Sequence, residues 1–215
     1  KGARRKGSRI AAASQLLAFS ELTLYEKGGR WYLNDGNTIE LFGGIRNDIS
    51  LLSLAQYFAE LLEIVSDEDI QNKDILRLGL NSLYSLSEGK KDEKLIKAAF
   101  ELRLMCLSGY EPRLSSCDMC GAENPSRPYF DIYGGVLICG KCATEAGRKA
   151  IRLCGASLCA MQFIVNADSG KVFSFTLNKE GLNRLSKAAE NYAEAQLERS
   201  FRTLGFYKML AGHIS

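Results

Sequence analysis

Histidine is nearly missing from this chain. Its one copy among 215 residues is His213, close to the end, where a positioned general base is not expected. Also missing are a GxxxxGK[ST] phosphate loop, a GxSxG nucleophile elbow and an HExxH metalloprotease motif. Gly28-Gly29 and Gly134-Gly135 read as turn glycines, not phosphate cradles. No apolar run approaches the length of a membrane span. These absences argue against an enzyme, a small-molecule substrate and a membrane partner. No signal-peptide-like segment follows the basic first residues and there is no initiator Met, so the start is expected to be truncated.

Cysteine is what the chain does have. Four of its seven cysteines, Cys117, Cys120, Cys139 and Cys142, form a C-x2-C-x18-C-x2-C pattern. Two CxxC turns offer two thiolates each to a tetrahedral ion, and such spacing predicts one structural Zn2+. A redox CxxC or a disulfide pair is the alternative. Between the knuckles, Pro128 to Ile132 and Val136 to Ile138 read as two strands of a hairpin turning at Gly134-Gly135. Gly121 and Gly140 stand where the chain must turn so that amides face sulfur. Four thiolates saturate zinc, so a scaffold role is expected and no open catalytic position. Cys106, Cys154 and Cys159 sit in apolar surroundings and are expected to be small buried thiols. Paired CxxC motifs suit a reducing compartment, which makes a cytoplasmic location the expectation.

Charge is segregated. The net charge is +3, yet Lys1, Arg4, Arg5, Lys6 and Arg9 place five cations in the first nine residues. Residues 48–75 hold seven acids against the single base Lys73. A basic start beside the aromatics Phe19, Tyr25, Trp31 and Tyr32 fits single-strand binding by charge and stacking, or simply a solvated terminus. Two weaker clusters are Lys141, Arg148, Lys149 and Arg152 near the cysteines, and Arg199, Arg202 and Lys208 in the tail. For each, an ordinary charged helix face is the favoured reading.

Along the chain, residues 1–13 read as a loop. Leu22–Tyr25, Trp31–Leu33 and Thr38–Phe42 read as three short strands, with Asn34-Asp35-Gly36-Asn37 as a turn. Three strands with two open edges would make an incomplete β unit. Helical periodicity begins at Asp48 and buries Leu51, Leu54, Phe58 and Leu61. A second helix, capped by Asp74, is expected to end at Gly89, and a third to run from Asp92 to Gly109. Thr144–Leu153 and Leu158–Val165 read as helical, Lys171–Phe175 as extended, and Leu182–Leu197 as a last amphipathic helix running into Arg199-Ser200-Phe201-Arg202.

Several segments in order resemble the RecO family of bacterial recombination mediators. Lys1-Gly2-Ala3-Arg4-Arg5 through Ser8-Arg9 resembles the family's KGARR…S segment, and Leu22-Thr23-Leu24-Tyr25 its next strand. Phe100-Glu101-Leu102-Arg103-Leu104 with Gly109-Tyr110-Glu111-Pro112 is similar to FELRLL…GYxP. The cysteine knuckles around Gly134-Gly135-Val136-Leu137 follow, then Leu197 to Leu204 resembles the C-terminal basic helix end.

The resemblance implies an α+β chain: a partial N-terminal OB-fold barrel over 1–46, a helical bundle over 47–112 and 146–215, and a zinc ribbon inserted at 113–145. The family's barrel has two strands ahead of the Lys-Gly segment. The implied activity is non-enzymatic DNA repair and recombination: binding single- and double-stranded DNA, annealing strands, joining RecR, and engaging the C-terminal tail of single-stranded-DNA-binding protein to help RecA load. A bacterial, nucleoid-associated location goes with it. Lys1, Arg4, Arg5, Lys6 and Arg9 become the leading DNA contacts, with Lys141, Arg148, Lys149, Arg152, Arg199 and Arg202 weaker. Lys94, Lys97 and Arg103 are where an acidic partner tail would be sought. The rival is a zinc-ribbon helical adaptor that binds protein partners without touching DNA.

Overall fold

A computed structural model describes residues 9–66, 70–146, 150–168 and 170–212. It is a mixed α/β molecule in which a helical bundle carries two small sheets. A five-residue helix, α1 (Arg9–Ala13), occupies part of the stretch read as loop. It leads into an antiparallel hairpin, β1 (Phe19–Glu26) and β2 (Trp31–Glu40). Gly28 and Gly29 turn it with φ of 61° and 71°, a region only glycine enters at low cost.

The expected third strand is not separate. β2 runs unbroken through Asn34-Asp35-Gly36-Asn37, and a register shift between Thr23 and Leu24 absorbs the irregularity. Gly36 is the one buried residue of β2. A Cβ there would stand 2.8 Å from that of Ala13 and 3.2 Å from a methyl of Leu22. The glycine therefore serves the close approach of α1 rather than a turn.

After α2 (Gly43–Arg46) come three long helices, α3 (Ile49–Val65), α4 (Lys73–Glu88) and α5 (Glu93–Leu107). Their starts follow capping chemistry: Asp48 accepts from the amides of Ser50 and Leu51, and Asp92 from that of Lys94. Asn72, not Asp74, caps α4 by accepting from Ile75 N–H. Gly89 closes α4 in the left-handed conformation, φ 64°.

Next comes a three-stranded sheet in the order β4-β3-β5, from β3 (Pro128–Asp131), β4 (Val136–Cys139) and β5 (Ala150–Arg152). The short helix α6 (Gly140–Ala146) precedes β5. The helix expected across Thr144–Leu153 is thus divided: its second half pairs with β3, Ile151 opposite Phe130. Three helices complete the chain, α7 (Gly155–Asn166), α8 (Lys179–Gln196) and α9 (Arg202–Gly212). Lys171–Phe173 forms a turn rather than an extended piece, and α9 was not foreseen.

The bundle core centres on α5, whose Ile96, Ala98, Ala99, Phe100, Leu102, Leu104 and Met105 are all buried. Phe58 stacks on Phe100 with ring centroids 4.2 Å apart, and Phe201, just ahead of α9, meets Tyr57 edge-on at 5.5 Å. The three-stranded sheet joins this core through one face only. Phe130 and Leu137 belong to the main cluster, with Phe130 against Tyr192 of α8 at 5.1 Å. Val136 and Ile138 face the other way, into a small cluster with Cys117, Cys139 and Cys142.

Candidate metal centre and its surroundings

That small cluster is where the cysteines meet. The Sγ atoms of Cys117, Cys120, Cys139 and Cys142 all lie within 4.8 Å of one another. Cys120 and Cys139 are 3.7 Å apart, sulfur to sulfur. A zinc ion with Zn–S bonds of about 2.3 Å would space tetrahedral sulfurs by about 3.8 Å. The donor set fits such an ion. β4 delivers Cys139 and α6 delivers Cys142, while Gly121, φ 72°, folds the first knuckle so that its N–H meets Cys117 O at 2.8 Å. Gly140 serves closeness instead of a turn: it opens α6, and a Cβ would lie 3.0 Å from Arg127 Cβ.

Electrostatics agree. Burial pushes the Cys117 thiol up, but the amides of Cys139, Cys120 and Met119 outweigh it and pull it down to about 6. Cys139 N–H points at Cys117 Sγ over 3.2 Å. Cys142 is pushed up to about 12 by its contact with Cys139 and by burial. Four thiols this close cannot all ionise unless a cation shares the site. Zinc would supply a cross-link and no reaction, since the four sulfurs leave no open position.

The other cysteines differ from expectation. Cys159 is exposed, and Cys106 and Cys154 are half-buried. Cys106 is pushed up to about 12 by burial.

The basic candidates divide. Lys1, Arg4, Arg5, Lys6, Arg148 and Lys149 lie outside the described residues, and Arg9 opens α1. Lys141, Arg152, Arg199 and Arg202 are exposed. Among the partner-tail candidates, Lys94 gives Nζ–H to Asn183 Oδ1 over 2.6 Å. Arg103 gives Nη1–H to Val165 O over 2.5 Å, turned toward α7.

Lys97 is buried, with Nζ 2.8 Å from carboxylate oxygens of both Glu101 and Glu190. Tyr57 O–H donates to Glu101 over 2.8 Å, and Lys208 Nζ reaches Glu190 at 2.6 Å. Burial pushes the Lys97 ammonium down, but Glu101 and Glu190 outweigh it and hold it above its ordinary value. Glu101 is held above the usual carboxylate range by burial, with Lys97 opposing. This network is the main polar feature that sequence reasoning missed. Its signal was α5 itself, which carries apolar residues all round and so must take Lys97 and Glu101 inside.

Lys94, Lys97, Lys187 and Lys208 line a cleft of about 820 Å³ between α5, α8 and α9. Asp92, Glu93, Glu190 and Glu194 line it too, so its charges balance.

A four-cysteine ribbon able to hold a metal ion, docked on a helical bundle, defines the class. The family model described as recombination protein O, C terminal, matches residues 46–205, beginning where α2 ends. Curated relatives agree along the whole chain. DNA repair protein RecO of Acetivibrio thermocellus is 34% identical over 98% of this chain and 83% of its own length. The proteins of the same name from Symbiobacterium thermophilum and Clostridium perfringens are 29% and 26% identical, over 98% of this chain and 84% and 92% of theirs. The chain belongs to the RecO family.

Proposed function

We propose that this protein is a non-enzymatic DNA-binding recombination mediator of DNA repair. It binds and anneals strands and, with RecR and single-stranded-DNA-binding protein, helps load RecA. The observation that carries the reading is family membership across the bundle, in relatives named for DNA repair. The four-thiol cluster supports one structural Zn2+ that shapes a platform. We assign the β1–β2 hairpin to an OB-type barrel. Support comes from its exposed Leu22, Leu24, Tyr25, Trp31 and Tyr32, with Tyr25 stacked on Tyr32 at 5.4 Å. Such a surface suits further strands or stacked bases.

No helix among the described residues is long and apolar enough to cross a membrane. The deciding experiment is fluorescence anisotropy of a labelled single strand across a salt series, with Arg4→Glu/Arg5→Glu/Lys6→Glu beside the wild type. Binding that falls steeply with salt and weakens in the variant supports the mediator. Salt-independent silence toward DNA would hand the chain to the protein-adaptor reading.

A further inference from the structure

The two clefts on the ribbon differ in charge from the balanced one on the bundle. One, of about 690 Å³, lies beside the four-cysteine cluster and is lined by Arg127 and Lys141 with no acid among its described lining residues. The other, of about 560 Å³, runs between β5 and α8 and is lined by Arg152, Arg184 and Lys187, the last of which also borders the balanced cleft. Its single acid, Glu180, is already engaged, since Oε1 accepts from both Nε and Nη2 of Arg184 at 3.1 and 2.8 Å.

The clefts adjoin through the sheet. Arg127 directly precedes β3. Leu153 N–H bonds to Pro128 O over 2.9 Å, and Tyr129 pairs across from Arg152. Arg184 Nη1–H then reaches Arg152 O at 3.3 Å, tying β5 to α8. Lys187 follows on the same helix, about 4.5 Å further along its axis. Arg127, Lys141, Arg152 and Lys187 are exposed, and none of them has an ion-pair partner among the described residues.

We infer that a single nucleic-acid strand crosses the ribbon and passes onto α8 along Lys141, Arg127, Arg152, Arg184 and Lys187, its phosphates on these cations. The inference deepens the DNA-binding reading and rests on it. Charge decides the occupant: Lys141, Arg127, Arg152 and Lys187 have no ion-pair partner among the described residues. With the Glu180-bonded Arg184 between the last two, they form a line of cations that matches a polyanionic backbone. Half-buried Tyr129 between the clefts, and the half-buried Ile151 in the second, offer surfaces to an unstacked base. Arg184 positions β5 as well as facing the groove, and Lys141 adjoins a metal ligand. The test therefore leaves both alone.

In the full chain, Arg127→Glu/Arg152→Glu/Lys187→Glu is compared with wild type by anisotropy of a labelled oligothymidylate from about 50 to 200 mM salt. Three lost phosphate contacts reduce the slope of log affinity against log salt by about 2. Zinc content and the unfolding midpoint stay at wild-type values. If charge reversal disturbs folding, Arg127→Gln/Arg152→Gln/Lys187→Gln gives the same readout. An unchanged slope overturns the track while leaving the DNA-binding reading in place. A wild type that binds no strand overturns both. An acidic peptide that binds wild type but not the variant, with oligonucleotide binding equal in both, also overturns the track and assigns the groove to a protein partner.

Discussion

The bundle and the ribbon are stabilised by different means, although they share one sheet face. α5 is enclosed by α3, α4, α7 and α8 and brings a continuous apolar core with stacked aromatics. The ribbon's own cluster is Val136, Ile138 and three cysteines. Apolar burial contributes about 25 cal/mol per Å², and so few side chains cannot hold a fold by that route alone. A metal ion held by the four clustered thiols would cross-link the knuckles and supply what these side chains cannot. The bundle can thus afford a buried ion network, because its core supplies the excess stability. The ribbon has no such reserve.

The comparison breaks most visibly on metal removal. Chelation, or Cys139→Ser, is expected to open the 113–146 segment to protease while α3, α5 and α8 keep their helicity. Structural zinc sites contribute on the order of 10 kcal/mol in small zinc peptides. Acid acts in the same direction, because protonating the thiolates releases the ion; metal release followed with a chromophoric chelator as pH falls checks it. Equal protease resistance with and without metal would erase the distinction between the two regions.

Next in size is the network inside the bundle. Lys97→Met leaves the buried Glu101 with only the Tyr57 hydroxyl as partner and is expected to cost about 3–5 kcal/mol, read by urea unfolding. Lys97→Met/Glu101→Met should cost clearly less than Lys97→Met alone, since Glu190 keeps Lys208 and no buried charge is left without its partner.

Gly135 sits where the regions touch, with φ 61° and a Cβ position 2.7 Å from Tyr192 Oη. Gly135→Ala is expected to destabilise by about 1–3 kcal/mol and to loosen the ribbon first, visible as faster hydrogen exchange over 128–139.

Glu190 gives a smaller, pH-dependent effect. Burial raises its carboxyl, but Lys97 and Lys208 outweigh that and hold it below the usual carboxylate range. Its contribution is therefore complete above that range and is lost as pH falls through the lowered folded value. Glu190→Gln should flatten the acid limb of stability against pH and lower the plateau at neutral pH.

Smallest of all is the ion pair of Arg113 and Asp118. The two lie 2.7 Å apart with side chains 73% and 37% exposed; Arg113→Ala is expected to change stability by less than about 1 kcal/mol.

What could be read beforehand follows the same division. Cysteine spacing and the caps Asp48, Asp92 and Gly89 are local signals, and local geometry obeyed them. Asn34-Asp35-Gly36-Asn37 carried an equally good turn signal, but pairing with β1 and the approach of Ala13 overrode it. β5 was hidden because three residues acquire strand character only by lying beside β3. α9 was hidden for another reason. Its anchors are distant carboxylates: Thr203 bonds to Glu60, Tyr207 O–H donates to Glu93 over 2.9 Å, and Lys208 meets Glu190. No window of sequence contains those pairs. The basic clefts follow the same rule, since Arg127 and Arg152 are brought together only by strand pairing.

The most direct test of the mediator assignment is the time course of annealing between two complementary oligonucleotides, with and without the zinc-loaded protein at low salt. The expected result is acceleration by the protein that fades as salt rises. Annealing no faster than the spontaneous rate, with protein shown to be folded and metal-bound, would contradict it.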